Sequence, residues 1–139
     1  MTGSFVLDCS VAIAWFFKDE ASPQLYALQD QVKRNGAIVP MLWHLEIGNA
    51  LLQSEKRGRV AVPELEVHIA LLDSLPLETD GETCEHALHE TLNFARAHKL
   101  TLYDAAYLEL ALRRKLPLAT KDEALRAVAL RLGIKILPE

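Results

Sequence analysis

"LTLYDAAYLELALRRKLPLATKDEAL", residues Leu100–Leu125, carries the pattern on which the fold turns. A helical pattern begins it and breaks at Lys115–Pro117. The apolar run "LPLA" that follows is too short for a helix and reads as a strand. A second helix starts directly after. An aspartate sits near each helix start, Asp104 and Asp122. Asp104 is followed by Ala105, Ala106, Tyr107 and Leu108, poor company for a solvated charge. Each acid also has a purely structural reading. Thr101-x-x-Asp104 fits a capping box. Thr120–Glu123 fits the same pattern, which makes Asp122 a first-turn acid complementing the helix dipole.

The same strand–helix grammar extends outward. "SFVLD" (Ser4–Asp8) is a short apolar run ending in an acid and reads as a strand. "SVAIAWFFKDE" reads as a helix that Ser10 can cap. Ser22, Pro23 and Gly36 mark the start, first turn and end of a second helix. Ala37–Val39 is a minimal strand stopped by Pro40, and "MLWHLEIGNALLQSEKRG" is a long helix closed by Gly58. A further helix over 62–75, the strand "LPLET", a helix over 81–99, a helix over 121–133 and the strand "IKIL" complete the chain. This alternation predicts an α/β fold: one domain over residues 1–139, with a parallel-type sheet covered on both faces.

Bulk composition narrows the functional classes. The chain has 139 residues, half of them apolar, which favours a folded core over disorder. Its net charge of −4 argues against a generic nucleic-acid coat, which is usually basic, and leaves room for a local basic site. Cys9 and Cys84 have no metal-type spacing and imply no disulfide framework, so both are expected as thiols in a cytoplasmic protein. The apolar start lacks a basic segment and contains Asp8, unlike a signal peptide. No apolar run reaches the roughly 18 residues that suggest a membrane span.

In open parallel sheets, ligands bind beyond the carboxyl ends of the strands. Asp8 ends the first strand, and Asp122 follows the "LPLA" run after two intervening residues. Both are expected on one rim. On a helical wheel of residues 41–53, Trp43, Ile47, Leu42, Leu45, Leu52 and Ala50 define a broad apolar arc. Glu46 and Asn49 fall inside it. An inward carboxylate needs a cation, donors or a metal. Three rim acids and one inward glutamate make a plausible oxygen-ligand site for a hard cation.

Other motifs are weaker. His86 and His89 lack the HExxH order and are expected on a solvated helix face. No phosphate-binding glycine loop and no GxSxG elbow occurs. An aspartyl-phosphate enzyme would want Asp-x-Asp where this chain has "DCS".

Four pieces in order, "FVLDCSVAIAWFFKDE", "EIGNALL", "LTLYDAAYLELAL" and "LPLATKDEALRAVALRLGIKIL", resemble the PIN-domain family, most closely its VapC-type toxins. The resemblance implies a three-layer α/β/α sandwich with a central, mainly parallel sheet. It implies that Asp8, Glu46, Asp104 and Asp122 bind Mg²⁺ or Mn²⁺, with Ser10, Asn49 and Thr120 as supporting polar groups. It further implies a ribonuclease that cuts RNA, a cognate antitoxin and a homodimer. A non-catalytic RNA- or protein-binding module is the alternative. The basic groups Lys56, Arg57, Arg59, Arg113, Arg114 and Lys115 are expected to flank the substrate path.

Overall fold

Phe5, Val6 and Leu7 are each at most 1% exposed, as expected of a strand sealed on both faces. They lead into or form β1 (Val6–Leu7) of a computed structural model that describes residues 4–139. The first three residues of the domain expected over 1–139 lie outside the described residues. The other strands are β2 (Ala37–Val39), β3 (Leu77–Thr79), β4 (Leu118–Ala119) and β5 (Ile136–Leu137). They form one five-stranded sheet in the order β3-β2-β1-β4-β5, with every pairing parallel. Val6 stands opposite Ile38 on one side and Leu118 on the other, and Leu7 stands opposite Ala119.

Helices α1 (Cys9–Ala14) and α2 (Pro23–Asn35) join β1 to β2, and α3 (Trp43–Lys56) and α4 (Val62–Ser74) join β2 to β3. The return to the other side of β1 runs through α5 (Thr83–His86), a π-helical segment (Ala87–Thr91), α6 (Leu92–His98) and α7 (Leu102–Arg114). Helix α8 (Glu123–Arg131) then leads to β5. Right-handed crossovers put helices on opposite faces when the chain reverses its direction across the sheet. α1 accordingly packs with α3, while α7 packs with α8, β1 and β4. The result is the expected three-layer α/β/α sandwich, and the reversal leaves a switch point between β1 and β4.

Helix α7 is the central prop. Ala105 through Ala111 are all buried, so the helix is enclosed nearly all round. This is why Asp104 has apolar company. Its last turn ends at Lys115, in the left-handed region at φ 55°.

Several expectations need correction. Ser10 does not cap α1: Asp8 has the extended N-cap backbone and Ser10 lies in the first turn. α1 also stops at Ala14, well before Glu20. The 81–99 helix is broken by the π-helical segment, where His89 has φ −120° and ψ −105°. The core face of α3 is Trp43, Ile47, Leu51 and Ser54. These residues lie three or four apart, which fixes one stripe. Leu45 is 80% exposed, Leu52 is exposed, and Asn49 faces outward with them. Glu46 keeps a half-buried place on the shoulder of that stripe.

Candidate metal centre

Asp8 stands immediately beyond β1 and is only 6% exposed. The Thr120 hydroxyl donates to its Oδ2 at 2.6 Å and the Ser10 hydroxyl donates to the same oxygen at 2.7 Å. Neither hydroxyl takes Oδ1. Burial raises the Asp8 pKa above the usual carboxylate value, the two hydroxyls partly offset this, and the Asp122 charge adds to it. Thr120 itself is fully buried just past β4, the strand that pairs with β1.

Asp104 is the third residue of α7. Its backbone N–H is capped by Thr101 Oγ1 at 3.1 Å, so half of the expected capping box exists. Its half-buried carboxyl also has a raised pKa, from burial first and then from Asp122 and Asp8. One turn further on, Tyr107 is fully buried and donates its hydroxyl to Glu46 Oε1 at 2.5 Å. The Glu46 pKa is raised by burial, lowered in part by that hydrogen bond, and raised again by Asp8 and Asp104. Asp122 is the N-cap of α8, accepting from Leu125 N–H at 3.0 Å through Oδ1. It is the cap itself, where the sequence pattern predicted Thr120 in that place. Its own N–H donates to Thr120 Oγ1 at 3.1 Å.

The four acids therefore come from four separate segments to the switch-point rim and act on one another electrostatically. Cys9, next to Asp8, senses the same gathering. Its thiol is pushed upward by burial first and then by Asp8, Glu46 and Asp104. The donor set is all oxygen, and three of its members, Asp8, Glu46 and Asp104, carry pKa values raised by burial first and by neighbouring carboxylate charge second. That chemistry fits a hard divalent cation, which would relieve the repulsion. The four carboxylates do not form a tight cage: among the described residues, the only group of three or more Asp, Glu, His or Cys whose ligand atoms all lie within 4.8 Å of one another is Glu82, Glu85 and His86. Uncompensated like charges have a physical reason to stand apart.

The Glu82–Glu85–His86 group is better explained as ion pairing. The His86 ring meets Glu90 at 3.1 Å and Glu82 at 3.5 Å. Its pKa is raised by Glu90 first, with Glu109 and Glu82 assisting. An imidazole that prefers its proton is a poor metal ligand. The solvated face expected for His86 is only partly correct, since Nδ1 also lies 4.0 Å from the buried Glu109. His89 is exposed as expected.

The expected flanking cations divide into two groups. Arg59 is held by Asp19 and Glu20, Arg113 by Asp80 and Glu109, and Arg114 by Glu78. Lys56, Arg57 and Lys115 are exposed. Sequence reasoning missed Tyr107, although its i, i+3 spacing from Asp104 in "YDAAY" places both on one helix face. It also missed the buried Asp80, which ends β3 as Asp8 ends β1.

A fully parallel α/β sheet with carboxylates gathered at its switch point defines the class: an acidic-rim α/β protein with an oxygen-donor site. The chain belongs to the PIN domain family, which matches residues 5–130. Its structure is similar to that of PAE2754 from Pyrobaculum aerophilum, at 25% identity and a TM-score of 0.66, covering 96% of this chain and 98% of that one. FitAcB from Neisseria gonorrhoeae matches at 13% identity and a TM-score of 0.65, covering 95% of each chain. A toxin–antitoxin complex from Klebsiella pneumoniae matches at 16% identity and a TM-score of 0.55, covering 86% and 87%. A comparison with curated proteins finds no match. No helix among the described residues is long and apolar enough to cross a membrane.

Proposed function

We propose that the chain is a metal-dependent endoribonuclease and the toxin of a toxin–antitoxin pair. The observation that carries the reading is the gathering of Asp8, Glu46, Asp104 and Asp122 at one switch-point rim, where burial first and neighbouring carboxylate charge second raise the pKa of Asp8, Glu46 and Asp104. In this reading those four residues hold Mg²⁺ or Mn²⁺. A divalent ion at such a site supplies an activated water and neutralises phosphate oxygens. Asp8 is held in place by Ser10 and Thr120, and Asp122 is fixed by its capping bond. Asn49, exposed one turn after Glu46, is available to a phosphate or sugar at the rim. No side-chain nucleophile is needed.

The toxin role is supported by PIN membership and by the Klebsiella pneumoniae neighbour, itself a toxin–antitoxin complex. An antitoxin reaching the acidic rim would present Arg or Lys. A protein-covered surface is supported by the exposed Leu45 and Tyr103, which line one apolar depression with Met41 and Leu42. In this reading the chain is a single-domain, cytoplasmic homodimer that meets a partner protein.

The test is RNA cleavage by the purified chain with Mg²⁺, with Mn²⁺ and with chelator. Cleavage is expected only with a divalent ion and is expected to vanish in Asp8→Asn. RNA left intact by the wild type under both ions overturns the enzymatic reading.

A further inference from the structure

Glu46 differs from the three aspartates in how it is held. Asp8 is gripped by two hydroxyls, Asp122 by a backbone N–H, and Asp104 stands in a capped first turn. A glutamate has one more rotatable bond and loses more rotamer freedom when fixed. Glu46 lies half-buried between the exposed Leu45 and the buried Ile47, where its chain could equally extend to solvent. Against that freedom stands the hydroxyl of Tyr107, donated to Oε1 at 2.5 Å.

The donor is rigid. Tyr107 is fully buried among the core residues of α7, which packs on β1 and β4. It stands three residues after Asp104, on the same face of that helix. One helix thus supplies a carboxylate to the rim and also the tether for a carboxylate on another helix, across 61 residues of sequence. The bond engages Oε1 and leaves Oε2 without a partner from Tyr107.

We infer that Tyr107 is a positioning residue of the acidic site: its hydroxyl holds Glu46 turned toward Asp8 and Asp104 and so sets the affinity for a divalent cation. This rests on the proposed reading of Glu46 as a cation-holding group. Outer groups that orient a ligand typically change metal affinity about 10- to 100-fold when removed.

The experiment is a calorimetric Mn²⁺ titration of the intact chain as wild type, Tyr107→Phe, Glu46→Gln and the double variant. Phenylalanine keeps the ring in the core and removes only the hydroxyl. Tyr107→Phe is expected to weaken Mn²⁺ binding about 10- to 100-fold, Glu46→Gln to weaken it too, and the double variant to match Glu46→Gln alone. If Glu46→Gln weakens binding and Tyr107→Phe does not, the tether is overturned while the site stands. A Tyr107→Phe loss that persists in full on the Glu46→Gln background also overturns it. Wild type that binds no Mn²⁺, or Glu46→Gln that binds as wild type does, overturns the site reading and the tether with it. A second measurement covers a Tyr107→Phe chain that does not fold. The chain has three tyrosines, and ζ-carbon NMR of Glu46→Gln should move one resonance, the buried one. Tyrosine resonances that all stay in place overturn the inference.

Discussion

Thr120 Oγ1 donates to Asp8 Oδ2 at 2.6 Å, joining residues 112 apart in sequence at the ends of neighbouring strands. The bond is possible because β1 and β4 pair in parallel with Leu7 opposite Ala119, so the next residue of each strand meets the other beyond the sheet. The same hydroxyl accepts the N–H of Asp122, so one buried threonine links two of the four acids. Sheet register is thereby converted into site geometry.

Thr120→Val should expose the value of that link. Valine matches the shape and loses the hydroxyl, leaving Asp8 with Ser10 as its only side-chain donor and the Asp122 N–H without this acceptor. A buried group left unsatisfied costs about 1–3 kcal/mol. Urea unfolding of the metal-free protein should show a loss of that order, with Thr120→Ser losing less. Equal stability of the valine variant and wild type would remove Thr120 from this account.

Asp104→Asn separates the metal role from the capping role. The cap is made by the Asp104 backbone N–H, which the substitution keeps. What it removes is a half-buried charge that burial, Asp122 and Asp8 disfavour and that a hydrogen bond with the Thr101 side chain offsets only in part. Metal-free Asp104→Asn is therefore expected to be as stable as wild type or slightly more so. Wild type should gain about 2.7 kcal/mol when free Mn²⁺ reaches a hundred times its dissociation constant, and the variant much less. Melts with chelator and with Mn²⁺ decide it. A variant destabilised equally in both conditions, with RNA cleavage intact, would reduce Asp104 to a helix-start residue.

Much of this was legible in the sequence, for identifiable reasons. Strand and helix order followed from short apolar runs broken by Pro40, Pro76 and Pro117. Asp8 and Asp122 could be placed because the carboxyl ends of parallel strands share a rim. What a wheel could not give was the direction of the core. Leu45 and Asn49 looked inward on α3, yet the helix packs through Trp43 and Ile47, a choice made by its neighbours α1 and α4. Local pattern offered the i, i+4 pair of Glu109 and Arg113 but not the distant partners. Arg113 and Arg114 read as free positive charge in "LRRKL", but their partners Asp80 and Glu78 lie 33 and 36 residues away.

Arg113 is predicted to be structural. It bonds Asp80 at 2.6 Å and Glu109 at 2.7 Å, two acids only 2% and 5% exposed, and is 18% exposed itself. Removing one partner of such a buried pair costs about 3–5 kcal/mol. Arg113→Met should lose stability of that size in denaturant while its Mn²⁺ affinity stays at the wild-type value. A salt-sensitive loss of RNA binding, with stability unchanged, would return Arg113 to the substrate path.

The last prediction concerns pH, where the two groups of acids act in opposite directions. At Asp80, burial acts to raise the pKa, but the hydrogen bonds from Arg113 and Thr83 outweigh it and the net shift is downward. Its contribution is present above the unfolded carboxylate pKa and is lost as pH falls through the lower folded one. Asp8, Glu46 and Asp104 are raised by burial first and then by neighbouring charge. Between the unfolded and folded pKa values the native state binds more protons than the unfolded one. The contribution of these three acids to stability therefore falls as pH rises through that window and returns as pH drops. Asp104→Asn lacks one of those terms. The metal-free stability of wild type minus that of Asp104→Asn should thus become more favourable as pH is lowered from neutral toward the carboxylate range. Mn²⁺ has to displace the same protons, so its stabilisation of wild type should shrink over the same interval. Melts of both chains across pH, with chelator and with Mn²⁺, measure both slopes. A wild-type-minus-variant difference that is flat with pH, or that moves the other way, would show that Asp104 does not share its charge with the rim acids.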